Sequence, residues 1–200
     1  MYIKRIYVVI ENWKREVDSR IYFAIKAANA GYEVFFGKKY EIYDQLKNLE
    51  SGIVILKSFG PMNSKHIDEF LKNGHAVVSW DEEMFISTDL EELITRRIYL
   101  ENLKKIDKLF LSGPREKELI ESKYPYLKEK IFLTGHPRID VLKKRINSIF
   151  DEDAEKIKKK HGDFILIVSS FNALNQLMVD YQIDRYFGSL LKNLDQITLD

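Results

Sequence analysis

The chain of 200 residues contains no cysteine, which excludes disulfides, cysteine-based zinc sites and thiol catalysis. It also lacks a long hydrophobic run, because the N-terminal "MYIKRIYVVIENWKRE" returns to charged residues too early for a signal peptide or a membrane span. Neither sign of charge is in excess, since the chain has 32 basic and 31 acidic residues. That balance argues against a nucleic-acid binder. A soluble, cytoplasmic, globular protein is therefore expected.

Short β-rich runs alternate with helical patterns along most of the chain. Strands are predicted over 3–10, 32–37, 52–57, 75–80, 107–113 and 130–135. Helices are predicted over 16–31, 40–50, 62–74, 88–105, 114–124 and 138–146. This alternation is typical of βαβ units that form a largely parallel sheet covered on both faces. The predicted fold is α/β, Rossmann-like and doubly wound, with ligands bound beyond the carboxyl ends of the strands.

A charged segment over 147–162 predicts a connecting helix at a domain boundary. We expect one Rossmann-like domain over 1–161 and the beginning of a second, incomplete domain over 162–200, because "FILIVSS" (164–170) resembles the first strand of a further βα unit. Asn172 and Asn175 follow that run, and their amides would hydrogen-bond a sugar or a base, or cap the next helix.

Several common motifs are absent. Residues 11–16 read ENWKRE where a dinucleotide-binding strand–helix turn would carry G-x-G-x-x-G, and no P-loop sequence is present. No serine lies in a G-x-S-x-G elbow, and the four histidines share no metal-ligand spacing. An ordinary NAD or FAD enzyme, a P-loop nucleotidase, an α/β-hydrolase and a histidine metal site are therefore disfavoured, and neither a metal nor a cofactor is expected.

Three carboxylates follow the fourth predicted strand in "WDEEM" (80–84). Asp81, Glu82 and Glu83 would supply a general base, a nucleophile or a metal ligand if burial and mutual repulsion raised a carboxyl pKa. The alternative is a solvated acidic loop or the first turn of a helix.

The sixth predicted strand ends in an unusual series of residues, "IFLTGHPRID" (131–140). Gly135 permits a sharp turn, and a proline suits the first position of the next helix. Turn chemistry does not explain His136, Arg138 and Asp140. His136 would donate to a phosphate or act as an acid–base group, or it has no role beyond the turn.

Other strand ends carry further candidates. In "REVDSR" (15–20), Glu16 and Arg20 have the spacing of an ion pair on a helix, while Asp18 would cap the helix or face the crevice. Lys57 and Ser58 end the third predicted strand. A helix that starts after a strand is also an anion site in this fold class, both after the first strand and at "SGP" (112–114).

These pieces occur in the order and spacing of a known family. "EVDSRIYFAIKAANAGYEVFFG", "LKS", "GHAVVSWDEE", "FLSG", "LTGHPRIDVL" and "FILIVSSFNALN" resemble bacterial surface carbohydrate biosynthesis proteins, which look like GT-B glycosyltransferases. The G-x-P-R-x-D core at 135–140 is also similar to a segment of CDP-glycerol glycerophosphotransferases. The resemblance covers the chain from its first residue to roughly residue 175.

The resemblance implies transfer of a sugar or polyol phosphate from a nucleotide-activated donor to a carbohydrate acceptor. It implies an acceptor-side domain over 1–161 and a donor-side domain of which this chain holds only the beginning, so activity of the chain alone is not expected. Asp81, Glu82 and Glu83 become the acid–base or nucleophile candidates. His136 and Arg138 would face phosphate at the cleft, and Arg20 and Lys57 would contact an anion or the acceptor.

Two other functions stay open. The first is a non-catalytic Rossmann-like module, because one half of a two-domain cleft can bind a ligand or a partner without closing over a donor. A complete nucleotide- or sugar-modifying enzyme, such as an epimerase, is disfavoured by the missing dinucleotide motif. In each case no nucleic acid is expected as a partner, and contact with a membrane would be peripheral.

Overall fold

A parallel β-sheet organises the part of the chain up to Phe150. The computed structural model describes residues 4–83 and 89–167, in which one compact unit extends to Phe150 and a second begins at Asp151. The strands are β1 (Arg5–Ile10), β2 (Glu33–Lys38), β3 (Ile53–Leu56), β4 (Ala76–Trp80), β5 (Lys108–Leu111) and β6 (Ile131–Leu133). They form a six-stranded sheet of order β2-β1-β3-β4-β5-β6, and every neighbouring pair is parallel. The predicted α/β, Rossmann-like class is confirmed.

Helices connect the strands. They are α1 (Trp13–Asn29), α2 (Lys39–Leu46), α3 (Ser64–Lys72), α4 (Leu90–Arg97), α5 (Leu100–Lys105), α6 (Pro114–Lys123) and the short α7 (Pro137–Asp140). Short 3₁₀ turns cover Pro61–Asn63, Pro125–Lys130 and Asn147–Phe150. No helix within the described residues is both long enough and apolar enough to cross a membrane.

Side chains from both faces of the sheet are buried, which explains why the strands read as continuous apolar runs. Tyr7 and Val9 of β1 belong to the larger core, which also holds Phe70 of α3 and Leu103 of α5. The alternate residues of β1 face the other side, where Val8 joins a smaller cluster with residues of β3, β4 and α1. Helices therefore cover the sheet on both sides.

Two predicted helices differ from the structure. The described part of the helix predicted over 88–105 forms two helices rather than one, because Ile98 and Tyr99 are extended. This break accompanies a tertiary contact, since the buried Asn102 of α5 donates to the carbonyls of Phe59 and Gly60 at 2.9 and 3.0 Å. The helix predicted over 138–146 ends at Asp140 and continues as turns.

The early end of α7 has a physical cause. A helix in water is maintained mainly by the apolar face that it buries. In this segment Val141 is buried, but Ile139 and Leu142 are exposed. A longer helix would gain little packing here.

The unit that begins at Asp151 starts with the predicted connecting helix. Helix α8 (Asp151–His161) carries acidic residues in its first turn and lysines in its last turn, which suits the helix dipole. Residues 164–167 are exposed and form no strand, so the strand predicted over 164–170 is not present in its described part. A strand needs a hydrogen-bonded neighbour, and none pairs with residues 164–167. The predicted second domain over 162–200, with Asn172 and Asn175, lies mostly outside the described residues.

The order of the strands defines where a ligand would bind. The chain passes from β1 outward to β2, and β3 then pairs with the other side of β1. In doubly wound sheets this change of direction opens a crevice beyond the carboxyl ends of the two central strands. Here those strands are β1 and β3, which are followed by Glu11 and Lys57.

Gly52 allows a close approach that a larger residue would prevent. A Cβ at this position would lie 2.6 Å from Cε2 of Tyr7 and 2.9 Å from the carbonyl oxygen of Arg5. We expect Gly52→Ala to lower the free energy of unfolding by about 1–3 kcal/mol through overpacking, as measured by urea denaturation. Gly60→Ala is the matched control, because its Cβ would meet only the Ser58 hydroxyl at 3.4 Å. Equal stability of the two variants would contradict the prediction.

Candidate functional site

A lysine–glutamate group, formed by Glu11, Glu16, Lys39 and Lys57, lies at the carboxyl ends of the central strands. The Nζ of Lys57 lies 2.8 Å from Oε1 of Glu16 and 3.1 Å from Oε2 of Glu11. The Nζ of Lys39 lies 2.9 Å from Oε1 of Glu11. Glu16 and Lys57 are buried, whereas Glu11 is partly exposed. This group joins the ends of β1, β2 and β3.

Side chains of the protein itself accept hydrogen bonds at the amino end of α1. Asn12 caps the helix by accepting from the N–H of Arg15, so α1 begins earlier than predicted and the exposed Asp18 lies within it. The Glu16 carboxylate accepts from the N–H groups of Glu11 and Asn12 at 3.0 and 3.1 Å. An internal carboxylate thus interacts with the backbone donors where the sequence predicted an anion site.

The carboxyl groups of Glu11 and Glu16 are held in their charged form. Burial acts to raise the pKa of Glu16, but hydrogen bonds from Lys57 and from two backbone N–H groups outweigh it and lower the pKa. Burial also acts to raise the pKa of Glu11, and the two lysines beside it lower the pKa below its ordinary value. Both groups are therefore hydrogen-bond acceptors at neutral pH rather than effective general bases.

A second group of charges follows β4, and we call it the arginine–carboxylate group. It consists of the three predicted acids and the arginines that pair with them: Asp81, Glu82, Glu83, Arg15, Arg20, Arg97 and Arg138. The buried Asp81 accepts two hydrogen bonds from Arg97, both at 3.0 Å. Burial raises the pKa of Asp81, and Arg97 opposes that shift. Its carboxylate thus pairs with Arg97 and also accepts from the N–H of Glu83 at 2.9 Å.

Glu82 is the centre of the arginine–carboxylate group. Its carboxylate accepts a hydrogen bond from Nη2 of Arg20, and both side chains are 1% exposed. Its Oε2 also lies 3.0 Å from Nε of Arg138. The i, i+4 pair predicted between Glu16 and Arg20 is absent from the ion pairs of the described residues, because each partner bonds to a different strand end.

Glu83 differs from its two neighbours because its side chain is 46% exposed. It lies 3.1 Å from Nη1 of Arg97 and 3.5 Å from Nη2 of Arg15. Of the three predicted acids, Glu83 is therefore the one that a dissolved molecule can reach.

The turn before α7 packs onto the end of β4. Nδ1 of His136 accepts from the N–H of Arg138 at 3.2 Å, and Nε2 lies 3.0 Å from the carbonyl oxygen of Glu82. A neutral imidazole that accepts at Nδ1 carries its proton on Nε2, so Nε2 donates to that carbonyl. Gly135 has a φ of +85°, and its carbonyl accepts from Nε1 of Trp80 at 3.3 Å. His136 and Arg138 thus hold the loop that carries the three acids through contacts with the Glu82 carbonyl.

The other predicted site residues have local partners. Ser58 is half-buried, and its hydroxyl accepts from the N–H of Gly60 at 3.2 Å. Asp140 pairs with Lys143 on the surface. At α6, the carboxylate of Glu116 accepts from the N–H groups of Ser112 and Gly113, so this predicted anion site is also satisfied internally.

Sequence reasoning missed three cations of the site, namely Arg15, Lys39 and Arg97. Lys39 follows β2 directly, so the strand-end rule that selected Lys57 would have found it with the strand boundary one residue later. Arg97 ends a charged helix and carries no comparable signal in the sequence. Its role depends on the fold, which brings it to Asp81.

An open cavity adjoins the lysine–glutamate group. It has a volume of about 570 Å³ and is lined by Ile10, Glu11, Lys38, Lys39, Tyr40 and Glu41. We call it the Tyr40 cavity. Among the residues that the structure describes, no three acidic or histidine side chains are grouped as metal ligands would be.

No protein family, curated protein or solved structure matches this chain.

Proposed function

We propose that this chain is the acceptor-side part of a glycosyltransferase-like protein of surface polysaccharide biosynthesis. It would act in the cytoplasm on the transfer of a sugar or polyol phosphate from a nucleotide-activated donor to a carbohydrate acceptor. The observation that carries the proposal is the convergence on Glu82. Two segments on which the family resemblance rests, "WDEE" (80–83) and "GHPRID" (135–140), meet at this residue beyond one edge of a parallel sheet.

Each charged residue has a distinct role in this proposal. Glu83, the exposed acid, would accept the proton of the acceptor hydroxyl. Arg15 lies beside it and is partly exposed, as is Arg138 on the neighbouring turn. These arginines would supply hydrogen-bond donors to phosphate oxygens. Asp81 and Glu82 would hold the arginines and the loop in place rather than react.

The proposal predicts that Glu83→Gln strongly slows transfer without unfolding the protein. The amide keeps the size of the side chain but cannot act as a base, and positioned bases contribute about 10²–10⁴-fold to rates. We expect the surface polysaccharide of cells that carry the variant to fall at least roughly tenfold, measured by carbohydrate composition at equal protein level.

Glu129→Gln is the matched control for this experiment. Glu129 is exposed and lies in the turn that leads into β6, at the amino edge of the sheet. Unchanged surface polysaccharide in Glu83→Gln cells would contradict a catalytic role for Glu83.

A non-catalytic ligand- or partner-binding module is the second candidate. It is favoured by the burial of Asp81 and Glu82 against arginines, which leaves one exposed acid among the three. Comparing a deletion of the gene with the Glu83→Gln variant distinguishes the two candidate functions. If deletion removes the polysaccharide while Glu83→Gln does not, the module is favoured; transfer of any activated sugar by the protein would exclude it.

A further inference from the structure

The Tyr40 cavity opens beside the crevice of the sheet and shares Glu11 and Lys39 with the lysine–glutamate group. Its walls come from the ends of β1 and β2 and from the first turn of α2. Its volume of about 570 Å³ lies within the range of roughly 300–1,000 Å³ that is usual for small-molecule sites. The cavity is therefore large enough for a sugar ring.

The charges that line the cavity cancel. Lys39 lies 2.9 Å from Glu11, and Lys38 lies 3.5 Å from Glu41. A phosphate would meet two carboxylates as well as two ammonium groups, so the cavity provides no excess of positive charge for it. A ligand with several hydroxyl groups suits this lining better, since each hydroxyl both donates to a carboxylate and accepts from an ammonium.

The lining also includes an exposed aromatic ring. Tyr40 is 68% exposed, although a tyrosine ring usually buries much of its surface. The Nζ of Lys39 lies 5.7 Å from the centre of the ring and helps to hold it at the rim. The face of an aromatic ring has no hydrogen-bonding groups and carries a partial negative charge, so it suits the C–H groups on one face of a sugar ring.

From these observations we propose that the Tyr40 cavity binds a neutral, polyhydroxylated sugar ring, as the acceptor subsite of the proposed transfer. Tyr40 packs against the C–H face of the ring. Glu11 and Glu41 accept from its hydroxyls, and Lys38 and Lys39 donate to them. The role of this sugar as acceptor rests on the proposed function. The binding of a sugar in the cavity does not depend on catalysis.

Saturation-transfer NMR on the full chain tests the subsite directly. The probes are the methyl glycosides of glucose, galactose and N-acetylglucosamine, with glycerol 3-phosphate and inorganic phosphate as anionic probes. We expect signal from at least one glycoside. Tyr40→Ala should weaken its binding at least fivefold, while Tyr40→Phe, which keeps the ring, should retain it.

Tyr126→Ala is the control for loss of an exposed tyrosine. Tyr126 is 61% exposed and lies in the turn before β6, at the opposite edge of the sheet. Unchanged affinity in Tyr40→Ala, signal from the anionic probes alone, or no glycoside signal would each overturn the subsite.

The two proposals fail separately. If Tyr40→Ala loses glycoside binding while Glu83→Gln cells keep their polysaccharide, the subsite stands and the catalytic proposal does not. The opposite pair of results removes the subsite and leaves the transfer proposal intact.

Discussion

Glu82→Ala is expected to lower the free energy of unfolding by about 3–5 kcal/mol, because it leaves the buried Arg20 without its partner. The side chain of Arg20 is 1% exposed, and its Nη2 donates a hydrogen bond to Glu82. Its Nε and Nη1 have no hydrogen-bond partner within the described residues. Burial already lowers the pKa of Arg20, an effect that Glu82 opposes. Loss of Glu82 would leave an uncompensated buried charge.

Urea denaturation at neutral pH measures this effect, and the adjacent acid provides the control. Glu83→Ala removes a carboxylate from an exposed pair, which costs less than about 1 kcal/mol. The double variant Arg20→Met with Glu82→Gln should recover part of the loss, since the unpaired charge is then absent. A loss in Glu82→Ala no larger than in Glu83→Ala would show that Arg20 finds another partner or reaches solvent.

The sequence predicted the sheet well because burial leaves a clear local pattern. Strands such as "IYVVI" and "IVIL" are apolar without interruption, as expected when both faces are covered. The helix boundaries were harder to predict, since they depend on tertiary contacts. The buried Asn102 of α5 donates to the carbonyl of Phe59 beside the break between α4 and α5. Helix α7 ends before Leu142, whose side chain is exposed and contributes to no core.

The sequence predicted that charged residues follow the parallel strands, but it did not predict which of these charges pair. The rule that polar residues after parallel strands meet at one edge identified Lys57 and Asp81. The pattern of residues along α1 favoured a bond between Glu16 and Arg20. The fold instead joins Arg20 to Glu82, which is 62 residues away. No local pattern contains that information, because burial and the arrangement of strands decide which charges pair.

The second large effect is expected at Lys57. We predict that Lys57→Met lowers the free energy of unfolding by about 3 kcal/mol at neutral pH, because the buried Glu16 loses its nearest cation and keeps, among the described cations, only Arg15, whose Nη2 lies 3.6 Å away. Two backbone N–H groups still reach Glu16, so the loss should lie at the lower end of the usual range for broken buried pairs. Lys39→Met is the control, since Lys39 pairs only with the partly exposed Glu11 among the described acids.

The pH dependence of this loss follows from the direction of the pKa shifts. In the native protein the pKa values of Glu11 and Glu16 lie below the ordinary 4.5, so their contribution is present above that pH and is lost as pH falls through the lower folded values. In Lys57→Met, burial of Glu16 would raise its pKa, and the carboxyl would take up a proton as pH falls. The stability deficit of the variant should therefore shrink between neutral pH and roughly pH 4.

Burial also raises the pKa values of Asp81 and Glu116, and a raised pKa acts in the opposite direction. Their contribution is present at low pH and is lost as pH rises through the folded values. Both groups occur in the native protein and in Lys57→Met, so their effect cancels in the difference between the two stability curves. Urea unfolding of both proteins across this pH range isolates Lys57, and adding Glu16→Gln to Lys57→Met should make the deficit smaller at neutral pH. A deficit that stays constant with pH would mean that lost packing around the Lys57 stem, rather than the charge of Glu16, causes it.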